Sequence, residues 1–158
     1  MPKIDRQKLP IESGTRYPPP HDAPCRDRRW QALGQAAGLS QFGVNLVTLS
    51  PGAWSSQRHW HALEDEFVYI LEGELVLVTD AGEEVMRAGD CAGFKAGVKD
   101  GHHLQNRSDE EAVFLAIGSR DDKDHGVYSD IDMTFIPGRY SGGGGYRHKD
   151  GKPYPPKA

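Results

Sequence analysis

Between residues 42 and 120 short apolar runs are cut at regular intervals by turn residues, and that punctuation restricts the chain to a strand-rich fold. The runs span 44–49, 66–71, 74–79, 84–87, 91–94 and 112–119. Ser50-Pro51-Gly52, Glu72-Gly73-Glu74, Asp80-Ala81-Gly82 and Ala88-Gly89-Asp90 supply a proline, or a residue tolerant of positive φ, between successive runs. Antiparallel strands at this spacing, without helical crossovers, hide their edges by closing into a barrel or a two-sheet jelly roll. The expected fold is therefore all-β: a single-domain jelly-roll β-barrel with irregular N- and C-terminal arms.

The 158 residues suit one domain, and 19 Gly with 11 Pro fit a many-turned β protein better than a helical one. Residues 1–41 read as an N-terminal arm, rich in proline and charge up to residue 29, with a short helix expected over 30–39. Residues 42–120 form the barrel, and residues 121–158 form a C-terminal extension containing a glycine run, 142–145, read as a flexible loop. The net charge of −4 comes with no basic stretch interleaved with aromatics, which argues against nucleic acid as a partner. The N-terminus has no apolar leader core and no later segment has a membrane-spanning run, so the expectation is a cytoplasmic protein with no membrane partner. Two cysteines, Cys25 and Cys91, are too few for a disulfide framework, and Cys91 reads as a small core hydrophobe.

The chemistry concentrates in His59-Trp60-His61, Glu66 and His102-His103. Residues i and i+2 of a strand share a face, so His59 and His61 present both imidazoles to one side. Glu66, Val68 and Ile70 share the next strand's inward face, and a carboxylate among apolar side chains is costly unless a cation compensates it. A divalent ion held by His59, His61, Glu66 and His102 would do so and keep a position open for water or substrate.

Residues 52–73 resemble the first motif of the cupin family. One residue separates His59 from His61, four separate His61 from Glu66, and six separate Glu66 from Gly73, as in that motif, while Gly52 lies one residue further upstream than usual. Residues 89–106 resemble the second motif through Gly89, Gly97, His102 and Asn106. Lys95 replaces a customary proline, and four residues rather than two separate Gly97 from His102, which leaves the choice between His102 and His103 open.

The resemblance implies one divalent transition metal (Mn, Fe, Co, Ni or Zn) and a small-molecule substrate. It also implies a homodimer paired through an arm or an outer sheet. The expected activity is that of the sugar-phosphate isomerase branch, on a small polar or anionic metabolite. The alternatives are an iron-dependent dioxygenase and a non-catalytic ligand-binding module.

Gln57, on the face of His59, together with Arg58, Lys95 and His103, are the candidate substrate contacts. His103, on the opposite pleat from His102, is expected to face solvent or the second sheet. Glu64, Asp65 and the acidic run Asp121, Asp122 and Asp124 read as solvated loop charges.

Overall fold

The computed structural model describes residues 3–155. The first part of the chain carries β1 (Glu12–Ser13), β2 (Arg28–Ala32), a four-residue helix α1 (Leu33–Ala36) and β3 (Phe42–Leu49). The central part carries β4 (His59–His61), β5 (Glu66–Glu72), β6 (Glu74–Thr79), β7 (Gly82–Arg87), β8 (Cys91–Phe94), β9 (His103–Gln105) and β10 (Ala112–Ser119). The last part adds β11 (Gly126–Tyr128), β12 (Thr134–Ile136) and β13 (Gly145–Arg147). The regular elements are nearly all strands, as the turn chemistry predicts, and no helix among the described residues is long and apolar enough to cross a membrane.

One layer is a six-stranded antiparallel sheet in the order β1-β2-β3-β10-β5-β8. Facing it are two smaller sheets, β7-β6-β9 and β13-β12-β11-β4, linked by a single antiparallel bridge between His59 and His102. Period-two alternation explains the packing between layers. Val47 and Leu49 of β3, Val68 and Ile70 of β5 and Phe114 of β10 point inward and meet Leu75, Leu77, Met86 and Leu104 of the facing sheet. The outward partners on β5, Phe67, Tyr69 and Leu71, are each 39 % exposed.

Both flanking segments join this architecture. The expected helix over 30–39 shrinks to α1, because Trp30 and Gln31 belong to β2, which pairs along β3. Strand alternation there sends Trp30 to the core and Gln31 to the other face, where its amide donates to the carbonyls of Arg6 and Leu9. The C-terminal extension supplies β11 to β13, and Tyr128, Met133 and Phe135 form a second core with Tyr17 and Cys25 of the N-terminal segment. Cys91 is not a core residue: it pairs with Tyr69 on the outer face of β5 and is exposed.

Two glycines are required by geometry. Gly73 turns β5 into β6 at φ 77°, and a Cβ there would sit 2.7 Å from the Glu111 carbonyl oxygen. Gly126 lies where β11 crosses β4, and a Cβ would overlap both the Trp60 carbonyl oxygen and the Phe135 ring. Neither neighbour is a flexible side-chain end, so Gly126→Ala is expected to cost about 3 kcal/mol, a sharp fall in the midpoint of chemical unfolding. An unchanged midpoint would show that β11 can lift from β4 at no cost.

Candidate metal centre

Three imidazoles and one carboxylate meet on the inner side of β4 and β5. His59 and His61, two apart on β4, turn their rings to one face, with Nε2 atoms 3.1 Å apart. Glu66 opens β5, and its Oε2 lies 3.4 Å from His61 Nε2 and 3.7 Å from His59 Nε2. His102, one residue before β9, brings its Nε2 to 2.6 Å from the same oxygen. A metal–nitrogen bond of about 2.1 Å implies ligand–ligand edges of about 3.0–3.4 Å, depending on coordination geometry. The separations found bracket that range, and His59, His61 and Glu66 form a group whose donor atoms lie close enough together to hold one ion, with His102 beside Glu66.

Hydrogen bonds from outside orient these rings. His59 Nδ1 is 2.8 Å from the Gln57 carbonyl oxygen, and His61 Nδ1 is 2.6 Å from Asp124 Oδ2. Each acceptor favours the tautomer with hydrogen on Nδ1, leaving Nε2 directed at the shared centre. His102 Nδ1 is buried with no hydrogen-bond partner among the described residues, and its ring is held instead by a parallel stack on Phe94, centroids 3.6 Å apart.

Asp124 corrects the expectation of a solvated acidic loop. Its side chain is fully buried, and it accepts from the Leu63 backbone N–H at 2.8 Å as well as from His61. Glu64 is corrected likewise: it is 4 % exposed and accepts from the Tyr140 hydroxyl at 2.8 Å and the Asp121 backbone N–H at 2.9 Å. The Arg139 guanidinium lies 3.4 Å from Glu64 and 3.9 Å from Asp124. Arg139 and Tyr140 come from the glycine-rich turn between β12 and β13, so the C-terminal extension completes the surroundings of His61. Asp121 and Asp122 do remain on the surface, where they accept local backbone N–H groups.

The remaining candidates divide by orientation. His103 points away from the cluster, buried against Trp54 with ring centroids 4.8 Å apart, its Nδ1 2.8 Å from the Ser56 carbonyl oxygen and its Nε2 2.9 Å from the Gln105 amide. Gln57 is buried and donates to the His21 carbonyl oxygen at 2.8 Å. Arg58 is bound bidentately by Asp130 at 2.7 and 2.8 Å and also contacts Asp80. Lys95 lines a side hollow of about 250 Å³, next to Trp60 and His102. The main cavity, about 820 Å³, is lined by His59, His61, Glu66 and His102 together with Tyr128 and Phe135, a size suited to a small metabolite.

The electrostatics follow from burial and contact. Burial pushes His59 down to about 3, so that ring is neutral at neutral pH. Burial also acts to lower His61, but the hydrogen bonds to Asp124 and Glu66 outweigh it and hold the ring up at about 9. Burial would raise Glu66, yet the hydrogen bonds from His102 and His61 keep it well below the usual carboxylate range.

These shifts give the metal-free chain a stability maximum near pH 6.5, the ordinary histidine value. Above it, the folded chain keeps the His61 proton that the unfolded chain loses, and stability falls by about 1.4 kcal/mol per pH unit until pH 9. Below it, the unfolded chain takes up a proton at His59 that the folded chain refuses, and stability falls again. Urea unfolding of chelator-treated protein from pH 5 to 9 checks this, and a plateau above pH 6.5 would contradict the assignment to His61.

Comparison with known proteins identifies the family. Residues 45–118 match the cupin domain family. A sugar phosphate isomerase of the cupin superfamily from Silicibacter pomeroyi is 46 % identical, over 98 % of this chain and 97 % of that one, with a TM-score of 0.92. A candidate sugar phosphate isomerase from Acidithiobacillus ferrooxidans is 28 % identical over 82 % of this chain and 81 % of that one, with a TM-score of 0.72. A polyketide cyclase from Streptomyces resistomycificus, 22 % identical over 77 % of this chain and 80 % of that one, shares the fold at a TM-score of 0.62. No curated protein matches the chain. From its motifs, its two-layered strand architecture and these likenesses, the chain belongs to the cupin superfamily.

Proposed function

We propose that the protein is a metal-dependent isomerase of a small phosphorylated sugar, with His59, His61, Glu66 and His102 holding one divalent ion. The observation that carries this reading is the grouping of His59, His61 and Glu66, with His102 against Glu66, in the wall of a cavity of about 820 Å³. The 46 % identical relative, itself a sugar phosphate isomerase, supports the substrate class. When bound, a divalent ion supplies Lewis-acid stabilisation of negative charge developing on a sugar oxygen.

The chain's own groups prepare the site. Asp124 and the Gln57 carbonyl keep the Nδ1 protons of His61 and His59, so their Nε2 lone pairs face the cavity. Tyr128, pushed by burial well above its ordinary value, stays protonated 5.5 Å from the His59 ring, its hydroxyl hydrogen-bonded with that of Tyr17. Phe135 and Phe94 keep water from the backs of His61 and His102. An aldose–ketose interconversion moves hydrogen between neighbouring carbons and oxygens of one substrate, so it balances without an external oxidant.

The test is a panel of aldose and ketose phosphates incubated with metal-loaded protein in D₂O, followed by NMR. Deuterium entering at C1 or C2 of at least one of them is expected. No exchange in any would sink the isomerase reading, and oxygen uptake dependent on ferrous iron would replace it with dioxygenase chemistry.

A homodimer is part of the same proposal. Phe67, Tyr69 and Leu71 line up beside Leu115 and Ile117 of β10 on an apolar outer sheet face of the kind a second copy covers. Sedimentation showing a monomer at high concentration would overturn it.

A further inference from the structure

Arg28 is the feature of the cavity that the metal chemistry leaves unused. On β2, Arg28 and Trp30 share the inward face, opposite the buried Leu49 and Val47 of β3. The guanidinium carbon sits 4.5 Å over the Trp30 ring, which holds the group in place, and both residues line the cavity that contains the histidine cluster.

The guanidinium has no hydrogen bond or ion pair among the described residues. Its electrostatic neighbours are the hydroxyls of Tyr17 and Tyr146, the Cys25 thiol and the Glu12 carboxylate. Burial keeps Tyr17 and Tyr146 protonated by pushing them above their ordinary value. Glu12 stands exposed on the edge strand, beyond ion-pair reach. Of the other guanidinium groups that line the cavity, Arg139 is engaged with Glu64 and Arg120 with the Tyr140 ring and the Leu39 carbonyl; Arg16 lines it as well, but of Arg16 and Arg28 only Arg28 is held in place by an aromatic ring.

A guanidinium is always charged and offers a planar fork of donors that matches phosphate oxygens. Half-buried without a counter-ion, it is costly to hold, and an anionic ligand in the cavity removes that cost. We propose that Arg28, flanked by the Tyr17 and Tyr146 hydroxyls, is the phosphate subsite of the cavity, so that a phosphomonoester is gripped at β2 while the sugar oxygens reach the histidine cluster. The assignment of the ligand as a phosphorylated sugar rests on the isomerase reading above.

The test is isothermal titration of the full chain after chelator treatment, so that no ion can hold the phosphate. The probes are inorganic phosphate, fructose 6-phosphate, fructose and gluconate, against wild type, Arg28→Lys and Arg28→Gln. Wild type should bind both phosphates, with fructose and gluconate at least tenfold weaker. Arg28→Gln should lose about 10–100-fold for the phosphates alone, and Arg28→Lys should keep part of that. Metal content after reloading should be equal in all three proteins.

Unchanged phosphate affinity in Arg28→Gln would overturn the subsite, as would failure of wild type to bind either phosphate, or gluconate binding as tightly as fructose 6-phosphate. Should Arg28→Gln fail to fold, Arg28→Lys and the wild-type preference for phosphorylated over neutral sugar decide the matter. Arg28-dependent phosphate binding without isomerisation in the reloaded enzyme would leave the subsite standing and remove the isomerase reading. Isomerisation with KM untouched in Arg28→Gln would do the reverse.

Discussion

Replacing His61 with alanine is expected to empty the centre, taking metal from about one ion per chain to a trace and weakening affinity by more than about a hundredfold. His61 is the hub of the cluster: its Nε2 faces His59 and Glu66, and its Nδ1 is held by Asp124. Removing the imidazole leaves the Asp124 side chain, which is fully buried, with no cationic partner among the described residues other than Arg139 at 3.9 Å. Breaking a buried pair from one side costs about 3–5 kcal/mol, so the variant should also unfold earlier. His103→Ala is the control. That ring packs on Trp54 outside the cluster, so its loss should lower stability and leave metal content at the wild-type level. Elemental analysis of the three purified proteins decides it, and a His61→Ala protein with full metal content would remove His61 from the ligand set.

Asp124→Asn is expected to lower metal affinity by about 10–100-fold without removing any ligand. The carboxylate is the acceptor that keeps hydrogen on His61 Nδ1. An amide there can turn its NH₂ toward the ring, which favours the opposite tautomer and protonates the nitrogen the metal needs. The same change removes the largest support for the raised His61 value, so stability of the metal-free chain should become flatter between pH 6.5 and 9. Competition with a calibrated chelator measures the first effect and urea unfolding the second. Wild-type affinity together with a wild-type pH slope would show that Asp124 only fills space.

Asp124 also marks where reading the sequence stops. In a row with Asp121 and Asp122 it has the composition of a surface loop, and nothing local distinguishes the buried carboxylate from its exposed neighbours. It becomes a partner of His61 only because β11 pairs with β4, bringing residue 124 beside residue 61. Glu64 is hidden in the same way: its partners Arg139 and Tyr140 lie 75 and 76 residues away. Strand β2 was masked for another reason. Trp30 to Leu39 holds good helix formers, and pairing along β3 overrides a propensity worth tenths of a kcal/mol per residue.

What the sequence determined by itself is what depends on short-range periodicity. The six apolar runs became β3, β5, β6, β7, β8 and β10, and two histidines spaced i, i+2 shared a face, because side-chain alternation is a property of any strand. The tertiary structure alone decided what depends on which strands meet: that His102 rather than His103 turns toward Glu66, that Asp124 and Glu64 are buried, and that Arg28 faces the same cavity as the histidines. Those outcomes are set by pairings between distant segments, whose energy comes from burial across the two layers and leaves no local pattern in the chain.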